Sequence, residues 1–379
     1  MIRRRFVNLV VDNYVTGERS LHRLDAAKHL FYPSTAKAEA AHDAKKNNNG
    51  VRTTPPEIGT LRRLPPPTMN IGTFPTSDRP WLLDDTFLLL SPRTSDGRIL
   101  HTNSEKGFTH IYDANTGSKP PRPPYPPSNG EEEKERVYAI SNYCNDHSFE
   151  VLDLSQNPHK WEPLPLPPCA KSNIRSFTVV DGGSTICVST ERKGTYCFDT
   201  RSLEWRKAGD WVLPFQGRAE YVPELGAWFS IIQSYNSARL CAYSDLSATA
   251  AMAAAHREPM LQHEWEYLEL PYESEYIELK GRLRGIILHM SRYWTTSAVD
   301  IINLGGGRFC IATVISDDRR VSLEFESDTT TKAEFIVLSG VEVIRGGASD
   351  GEEEGGGLRM VKHKAKRYMF RGNKIQCVL

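Results

Sequence analysis

Cysteine and histidine are the residues of this sequence whose side chains most readily act as nucleophiles or bind metals. The seven cysteines are widely scattered and include no Cys-x-x-Cys pair. Their spacing therefore matches neither a zinc site nor a disulfide framework, and it is typical of reduced thiols in an intracellular protein. Cys187 and Cys197 could face each other across a hairpin, although we expect them to serve in packing. The eleven histidines show no metal-ligand spacing either.

The sequence also lacks the short motifs that mark common active sites. His-Glu-x-x-His, Gly-x-Ser-x-Gly, the phosphate-binding Walker pattern and the dinucleotide-binding glycine pattern are all absent. The glycine run 305–307 lies between two apolar segments, which favours a hairpin turn over a phosphate cradle. We therefore expect no cofactor and no metal, and we favour a non-catalytic role over an enzyme.

Three lysines near the C-terminus form the strongest candidate for a binding surface. Lys362, Lys364 and Lys366 alternate at the spacing of a β-strand, so we expect their side chains to share one face. The simpler interpretation is a solvated strand face whose lysines discourage aggregation. The alternative is a basic docking face for an acidic protein surface. Nucleic acid is not expected, because no aromatic residues are interleaved with these lysines.

The charge distribution along the chain motivates the second interpretation, although we favour the solvated strand face. The whole chain has 47 Lys and Arg against 47 Asp and Glu. Residues 1–63 carry 12 basic and six acidic side chains, and residues 358–379 carry seven basic and none acidic. The remainder then has a balance of −13. If the two chain ends meet, their basic segments would form one positive sector on an acidic protein.

Short β-like runs separated by turn residues dominate the rest of the sequence. Many of these runs end in Asp, which favours a turn because its side chain can bond the following backbone. Asp113, Asp153, Asp199 and Asp245 end such runs and lie 40, 46 and 46 residues apart. That period is typical of propeller blades, which repeat every ~40–50 residues. A Trp often follows, and we expect it to fill the wedge between neighbouring blades.

Composition agrees with a folded chain rich in turns. Its 379 residues are 39% hydrophobic and 25% charged, with 24 Pro and 27 Gly. No apolar run approaches the roughly 20 residues that a membrane span needs, and the apolar stretch after the N-terminal arginines is too short for a signal peptide. We expect no membrane association and a location in the cytoplasm or nucleus.

Several segments carry a resemblance to a known family; they lie at 4–14, 23–34, 64–67, 194–199, 220–225 and 306–310. The chain resembles kelch-type β-propellers, and it is more closely similar to a grass-expanded (rice-type) plant family of kelch-like proteins of unknown function (DUF1668-like). This resemblance implies a propeller fold and no particular activity, because the family has no established chemistry. Many kelch-type plant proteins begin with an F-box, but strand-like sequence already starts at Phe6 here.

These observations predict an all-β fold, with residues 1–379 forming a single kelch-like β-propeller domain. We expect six four-stranded blades, with five or seven as alternatives, closed by pairing of the N- and C-terminal strands. The predicted blades are 4–67, 80–125, 136–168, 174–214, 217–271 and 280–371. Exposed loops are expected at about 35–56, 119–135, 247–260 and 346–357, the first beginning with a short helix.

The predicted function is that of a non-catalytic scaffold or adaptor for protein partners, without an F-box and monomeric. The alternative is a propeller enzyme or small-ligand binder with its site at the axial mouth.

Overall fold

The structure is a computed structural model. It describes residues 4–48, 58–73, 85–90, 97–103, 107–116, 136–140, 148–156, 159–169, 172–234, 237–244, 259–270, 272–278, 287–323, 326–346 and 357–379.

Strands make up most of the described chain, and two α-helices lie near its N-terminus. The helices are α1 (Ala26–His29) and α2 (Thr35–Asn48). The strands are β1 (Phe6–Asn13), β2 (Glu18–Asp25), β3 (Gly59–Thr60), β4 (Pro67–Thr73), β5 (Asp85–Leu89), β6 (Arg98–Asn103), β7 (Phe108–Asp113), β8 (Arg136–Ile140), β9 (Phe149–Asp153), β10 (Trp161–Pro163), β11 (Ile174–Val180), β12 (Thr185–Thr190), β13 (Gly194–Asp199), β14 (Glu204–Gly209), β15 (Gly217–Val222), β16 (Ala227–Ser234), β17 (Ser237–Ser244), β18 (Met260–Glu269), β19 (Tyr272–Glu278), β20 (Ile287–Gly305), β21 (Arg308–Leu323), β22 (Glu326–Arg345), β23 (Leu358–Met369) and β24 (Asn373–Val378).

The described strands form five sheets, which confirms the prediction of an all-β fold. Their orders are β24-β1-β2-β4, β5-β6-β7, β10-β9-β8, β14-β13-β12-β11-β15-β16-β17-β18, and β19-β20-β21-β22-β23-β3. The eight-stranded sheet consists of two antiparallel four-strand meanders joined by a parallel pair, β11 with β15. We number six strand units: the first three sheets are units 1 to 3, the two meanders are units 4 and 5, and the last sheet is unit 6. The predicted count of six four-stranded blades is not confirmed by this arrangement.

Aspartates at the ends of strands form the turns that the sequence predicts. Asp113 Oδ1 accepts the amide of Asn115 at 2.8 Å, and Asp153 Oδ1 accepts the amide of Ser155 at 2.9 Å. Asp199 Oδ1 accepts two amides, those of residues 201 and 202. Each carboxylate thus fixes the turn that follows its strand. Asp245 lies outside the described residues.

Tryptophans in the outer strands connect neighbouring units, as predicted. Trp161 of unit 3 donates from Nε1 to the hydroxyl of Thr109 in unit 2 at 3.2 Å. Trp205 of unit 4 donates to the carbonyl of Pro165, just after the last strand of unit 3, at 2.8 Å. Both rings also pack against the hydrophobic clusters at those junctions, so each fills the wedge between two sheets.

In the part of the chain that the structure describes, six hydrophobic clusters join the units in pairs. Each cluster contains buried residues from two units, exemplified by Val10 with Ile99 (units 1 and 2), Leu100 with Leu152 (units 2 and 3), Phe149 with Phe198 (3 and 4), Val180 with Tyr243 (4 and 5), Phe229 with Phe309 (5 and 6) and Leu304 with Leu9 (6 and 1). The sheets thus pack face against face in chain order, and the last unit packs against the first.

The two chain ends pair within unit 1. Strand β24 lies antiparallel to β1, and Asn8 and Leu379 exchange both of their backbone hydrogen bonds at 2.8 Å. The predicted pairing of the terminal strands is therefore present. Strand β1 therefore has a neighbouring strand on each side, β24 on one and β2 on the other, and residues 8–13 of its edge are covered.

Unit 6 is built from long hairpins. Strands β20 and β21 meet at the glycine run 305–307, whose φ values of 81°, 63° and 73° are in the left-handed region. Glycine is needed here because other residues adopt that region at a cost. The run is therefore a hairpin turn, as the sequence predicts.

The predicted exposed loops can be compared with the structure only in part. The segment predicted as a loop at about 35–56 begins with the 14-residue helix α2, which is longer than the short helix we expected. The loop predicted at 119–135 lies outside the described residues, as do nearly all of those at 247–260 and 346–357. Among the described residues, no helix is both long and apolar enough to cross a membrane.

Candidate functional site

The three lysines of the predicted docking face lie in β23, next to an irregularity in its pairing with β22. Lys362 is opposite Val341 and Lys366 is opposite Leu338, and the register shifts by one residue between these pairs. Val341 and Leu338 belong to clusters on opposite sides of the sheet. A β-bulge therefore interrupts the alternation, and Lys362 and Lys366 lie on opposite faces. The expectation that all three lysines share one face was wrong.

Two of the lysines remain together beside the N-terminal segment. The pKa of His29 is lowered, chiefly by burial and then by the positive charge of Lys28. Lys366 and Lys364 lower it by smaller amounts, and the negative charge of Asp25 partly offsets these effects. We call Lys28, His29, Lys364 and Lys366 the basic patch. It combines residues from both basic ends of the chain, so the structure does bring these two segments together. Each of its side chains is at least partly exposed.

The backbone of the N-terminal segment is fixed to β22 and β23 at the bulge. The amide of Lys364 donates to the carbonyl oxygen of Leu30 at 2.9 Å. On the facing strand, a Cβ at Gly340 would overlap this oxygen. At the bulge, the Lys364 amide is free to bond outside the sheet, and the missing side chain of Gly340 leaves room for the Leu30 carbonyl. That carbonyl is therefore held between β22 and β23.

A buried carboxylate lies beside this contact. Glu342 accepts hydrogen bonds from Arg308 Nε (2.8 Å), the Thr35 hydroxyl (2.8 Å) and His363 Nε2 (3.1 Å). His363 Nδ1 accepts the amide of Tyr32 at 3.1 Å, so Nε2 carries the proton of a neutral ring. Burial would raise the pKa of the Glu342 carboxyl, but the three hydrogen bonds outweigh it and lower the pKa to about 2.

This network has a positioning role. Its five side chains and amides satisfy one another, and Thr35 begins α2, so the network fixes the start of that helix against unit 6. The Arg308 side chain is mostly buried, with its Nε bonded to Glu342 and its guanidinium over the ring of Phe31. It is therefore not free to bind a partner.

Neither the network nor the glycine contact was predicted from the sequence. Thr35 is 307 residues from Glu342 in sequence. Glu342 and His363 lie on different strands, so no local spacing in the sequence relates the three residues. The available signal was an isolated glycine inside an apolar strand segment, which indicates a close backbone approach.

Metal-ligating residues do not gather in the part of the chain that the structure describes: no group of three or more His, Cys, Asp or Glu side chains could hold an ion. Cys187 and Cys197, directly opposite each other on β12 and β13, form a disulfide with a Cα–Cα distance of 4.2 Å. The two cysteines therefore face each other across the hairpin, and they pack in a hydrophobic cluster as expected, but they are also bonded to each other. Cys169, Cys241 and Cys310 are free and buried.

The comparison with protein families gives one match. Residues 4–368 match the model described as "Protein of unknown function (DUF1668)". No curated protein matches the chain.

Three of the solved structures that match this chain share little sequence with it. A protein of unknown function from Bacteroides thetaiotaomicron VPI-5482 is 11% identical over 60% of this chain and 67% of its own, with a TM-score of 0.30. The Cps50 (Swd1) β-propeller domain from Myceliophteria thermophila is 10% identical over 64% and 77%, with a TM-score of 0.32. TolB from Acinetobacter baumannii is 9% identical over 73% and 80%, with a TM-score of 0.26. These values say nothing about function.

Proposed function

This chain belongs to the DUF1668 family of proteins of unknown function, and from that premise we propose that it is a non-catalytic scaffold built on a closed, kelch-like β-propeller. Its partners are proteins, and it works as a monomer in the cytoplasm or nucleus. Nucleic acid and membranes are not among its partners in this proposal.

The cyclic order of the hydrophobic clusters is the observation that carries the proposal. Units 1 to 6 pack in sequence, and Leu304 of unit 6 lies in one cluster with Leu9 of unit 1. Sheets that pack face to face in a ring form a propeller, and we infer six blades from the six junctions. Such a ring buries its sheet faces and presents loops at both ends, and loops held by a rigid scaffold are where binding residues concentrate.

The contact with a partner is proposed to include the basic patch. Lys364 lies 5.0 Å from the centre of the Tyr32 ring, which limits its freedom while leaving the charge accessible. The proposed surface replaces the original set of three lysines by Lys28, Lys364 and Lys366, because Lys362 lies on the other face of β23. A surface of this kind fits an acidic protein segment.

Direct binding between purified proteins tests the proposal. A candidate partner recovered reproducibly with the full chain is purified, and its affinity for wild type is compared with that for Lys364→Glu/Lys366→Glu. The matched control is Arg201→Glu/Arg206→Glu, which reverses two exposed charges on unit 4. We expect at least tenfold weaker binding for the first variant and no change for the control.

Two results would count against the proposal. If no recovered protein binds the purified chain directly, the scaffold function is wrong. If a partner binds both double variants as tightly as wild type, the scaffold function stands and the basic patch is not its contact.

A further inference from the structure

Arg4 is a buried cation that has no carboxylate partner among the residues that the structure describes. Its amide donates to the carbonyl of Leu304 at 3.0 Å, and its Nε donates to the carbonyl of Phe6 at 3.1 Å, so both ends of the residue are held in place. Only 8% of the residue is exposed. No ion pair to a described residue lies within 4.0 Å, and Nη2 is shielded from solvent without any hydrogen-bond partner.

A second arginine in the same region is also incompletely bonded. Arg23 lies opposite Asn8 in the β1–β2 pair. Its Nη2 donates to the amide oxygen of Asn115 at 2.9 Å, and its guanidinium lies 4.4 Å from the centre of the Phe6 ring. Its Nε, however, is buried and has no partner. Two neighbouring cations therefore each keep one unused donor.

The nearby acidic groups of the described chain do not bond to these two unused donors. The negative charge of Glu220 acts on Arg4 only from a distance. The Glu220 carboxylate instead accepts a hydrogen bond from Asn303 Nδ2 at 3.4 Å. Burial lowers the pKa of Arg4 to about 10, Cys310 and Glu220 act in the opposite direction, and the charge of Arg23 lowers it further. Burial likewise lowers the pKa of Arg23, and the negative charge of Asp113 partly offsets this effect. The Asp113 carboxylate accepts the amide of Asn115. Among the described residues, the acidic groups therefore act on the two guanidiniums from a distance, and none forms an ion pair with either within 4.0 Å.

Buried donors without acceptors are rare in folded proteins, and an unmet ligand is one established reason for them. Here both donors belong to guanidiniums, whose planar fork of N–H groups matches the oxygens of a carboxylate or phosphate. We propose that Arg4 and Arg23 form a binding site for a small oxyanion, a carboxylate or phosphate group, at the start of β1. This site is independent of the scaffold function and of the basic patch.

Thermal unfolding of the full chain in different sodium salts tests this site. Phosphate and acetate are titrated separately at pH 7, with chloride at equal ionic strength as the reference. We expect a saturable rise of the unfolding midpoint above the chloride reference, because a ligand that binds only the folded state stabilises it. Phosphate alone, acetate alone or both would support the site and would identify the group that it accepts.

Three variants assign the effect to its residues. Arg4→Gln and Arg23→Gln each remove one guanidinium, and we expect the salt-specific rise to disappear or the affinity to weaken at least tenfold. Arg5→Gln is the matched control, because Arg5 is exposed and paired with Asp25 at 2.5 Å, and it should respond like wild type. If Arg4→Gln does not fold, Arg23→Gln decides.

The proposal is overturned by either of two results. One is a wild-type midpoint that is the same in phosphate, acetate and chloride at every concentration. The other is a salt-specific rise of equal size in wild type and in the foldable variants at positions 4 and 23. Neither result bears on protein partners, so the proposed scaffold function can stand or fall separately.

Discussion

The amide of Lys364 donates a hydrogen bond to the carbonyl of Leu30 across a gap of 334 residues in sequence. Gly340, on the strand beside Lys364, leaves the space in which that carbonyl lies. This contact fixes the N-terminal segment to unit 6 at the place where units 6 and 1 meet.

Replacing Gly340 should therefore destabilise the protein by overpacking. In Gly340→Ala, the added Cβ would overlap the Leu30 oxygen, and the strands or the segment would have to shift. We expect a loss of roughly 1–3 kcal/mol in the free energy of unfolding, measured in urea. Gly357→Ala is the control, since its Cβ would meet only the edge of His263 at 3.7 Å. Equal stability of the two variants would contradict the close approach.

The Glu342 network predicts a specific dependence of stability on pH. The carboxyl has a usual pKa of 4.5 and a folded pKa of about 2, so its ionised form is favoured by folding. Its contribution is fully present above about pH 4.5 and is lost as the pH falls towards 2. We expect Glu342→Gln to cost roughly 3 kcal/mol at pH 7, because Arg308 loses its buried partner.

The same measurement in acid separates this effect from a general one. The difference between wild type and Glu342→Gln should shrink between pH 4.5 and pH 2. Glu204→Gln, which changes an exposed carboxylate 3.9 Å from Arg206, should cost almost nothing at any pH. A Glu342→Gln penalty that stays constant down to pH 2 would show that the carboxylate is not stabilised by its hydrogen bonds.

The pairing of Cys187 with Cys197 predicts a difference in thiol count. Purified protein, unfolded without reductant, should show two fewer reactive thiols than the same protein after reduction. The difference should vanish in Cys187→Ala. Reduction should lower the free energy of unfolding by roughly 2–3 kcal/mol, as is typical of a short closed loop. Equal thiol counts with and without reductant would mean that the two cysteines only pack together.

The features that the sequence predicts correctly are mostly those formed by residues close together in the chain. The Asp153 turn and the position of Trp205 were predictable, because strand, turn and outer strand lie within a few residues of one another. The pairing of the terminal strands followed from the need to cover a sheet edge. The lysine prediction failed because a bulge shifted the register of β23, and the Glu342 network was missed because its members meet only in the folded chain.

Hydrogen exchange of the C-terminal strand tests the central claim of this account most directly, namely that the strands at the two chain ends pair with each other. Strand β24 is bonded along β1, with Asn8 and Leu379 sharing two hydrogen bonds. In the full chain, we predict that the bonded amides of β24 are protected to the same degree as those of β1 and β2. Exchange of β24 at the rate of an unstructured peptide, while β1 and β2 remain protected, would contradict it.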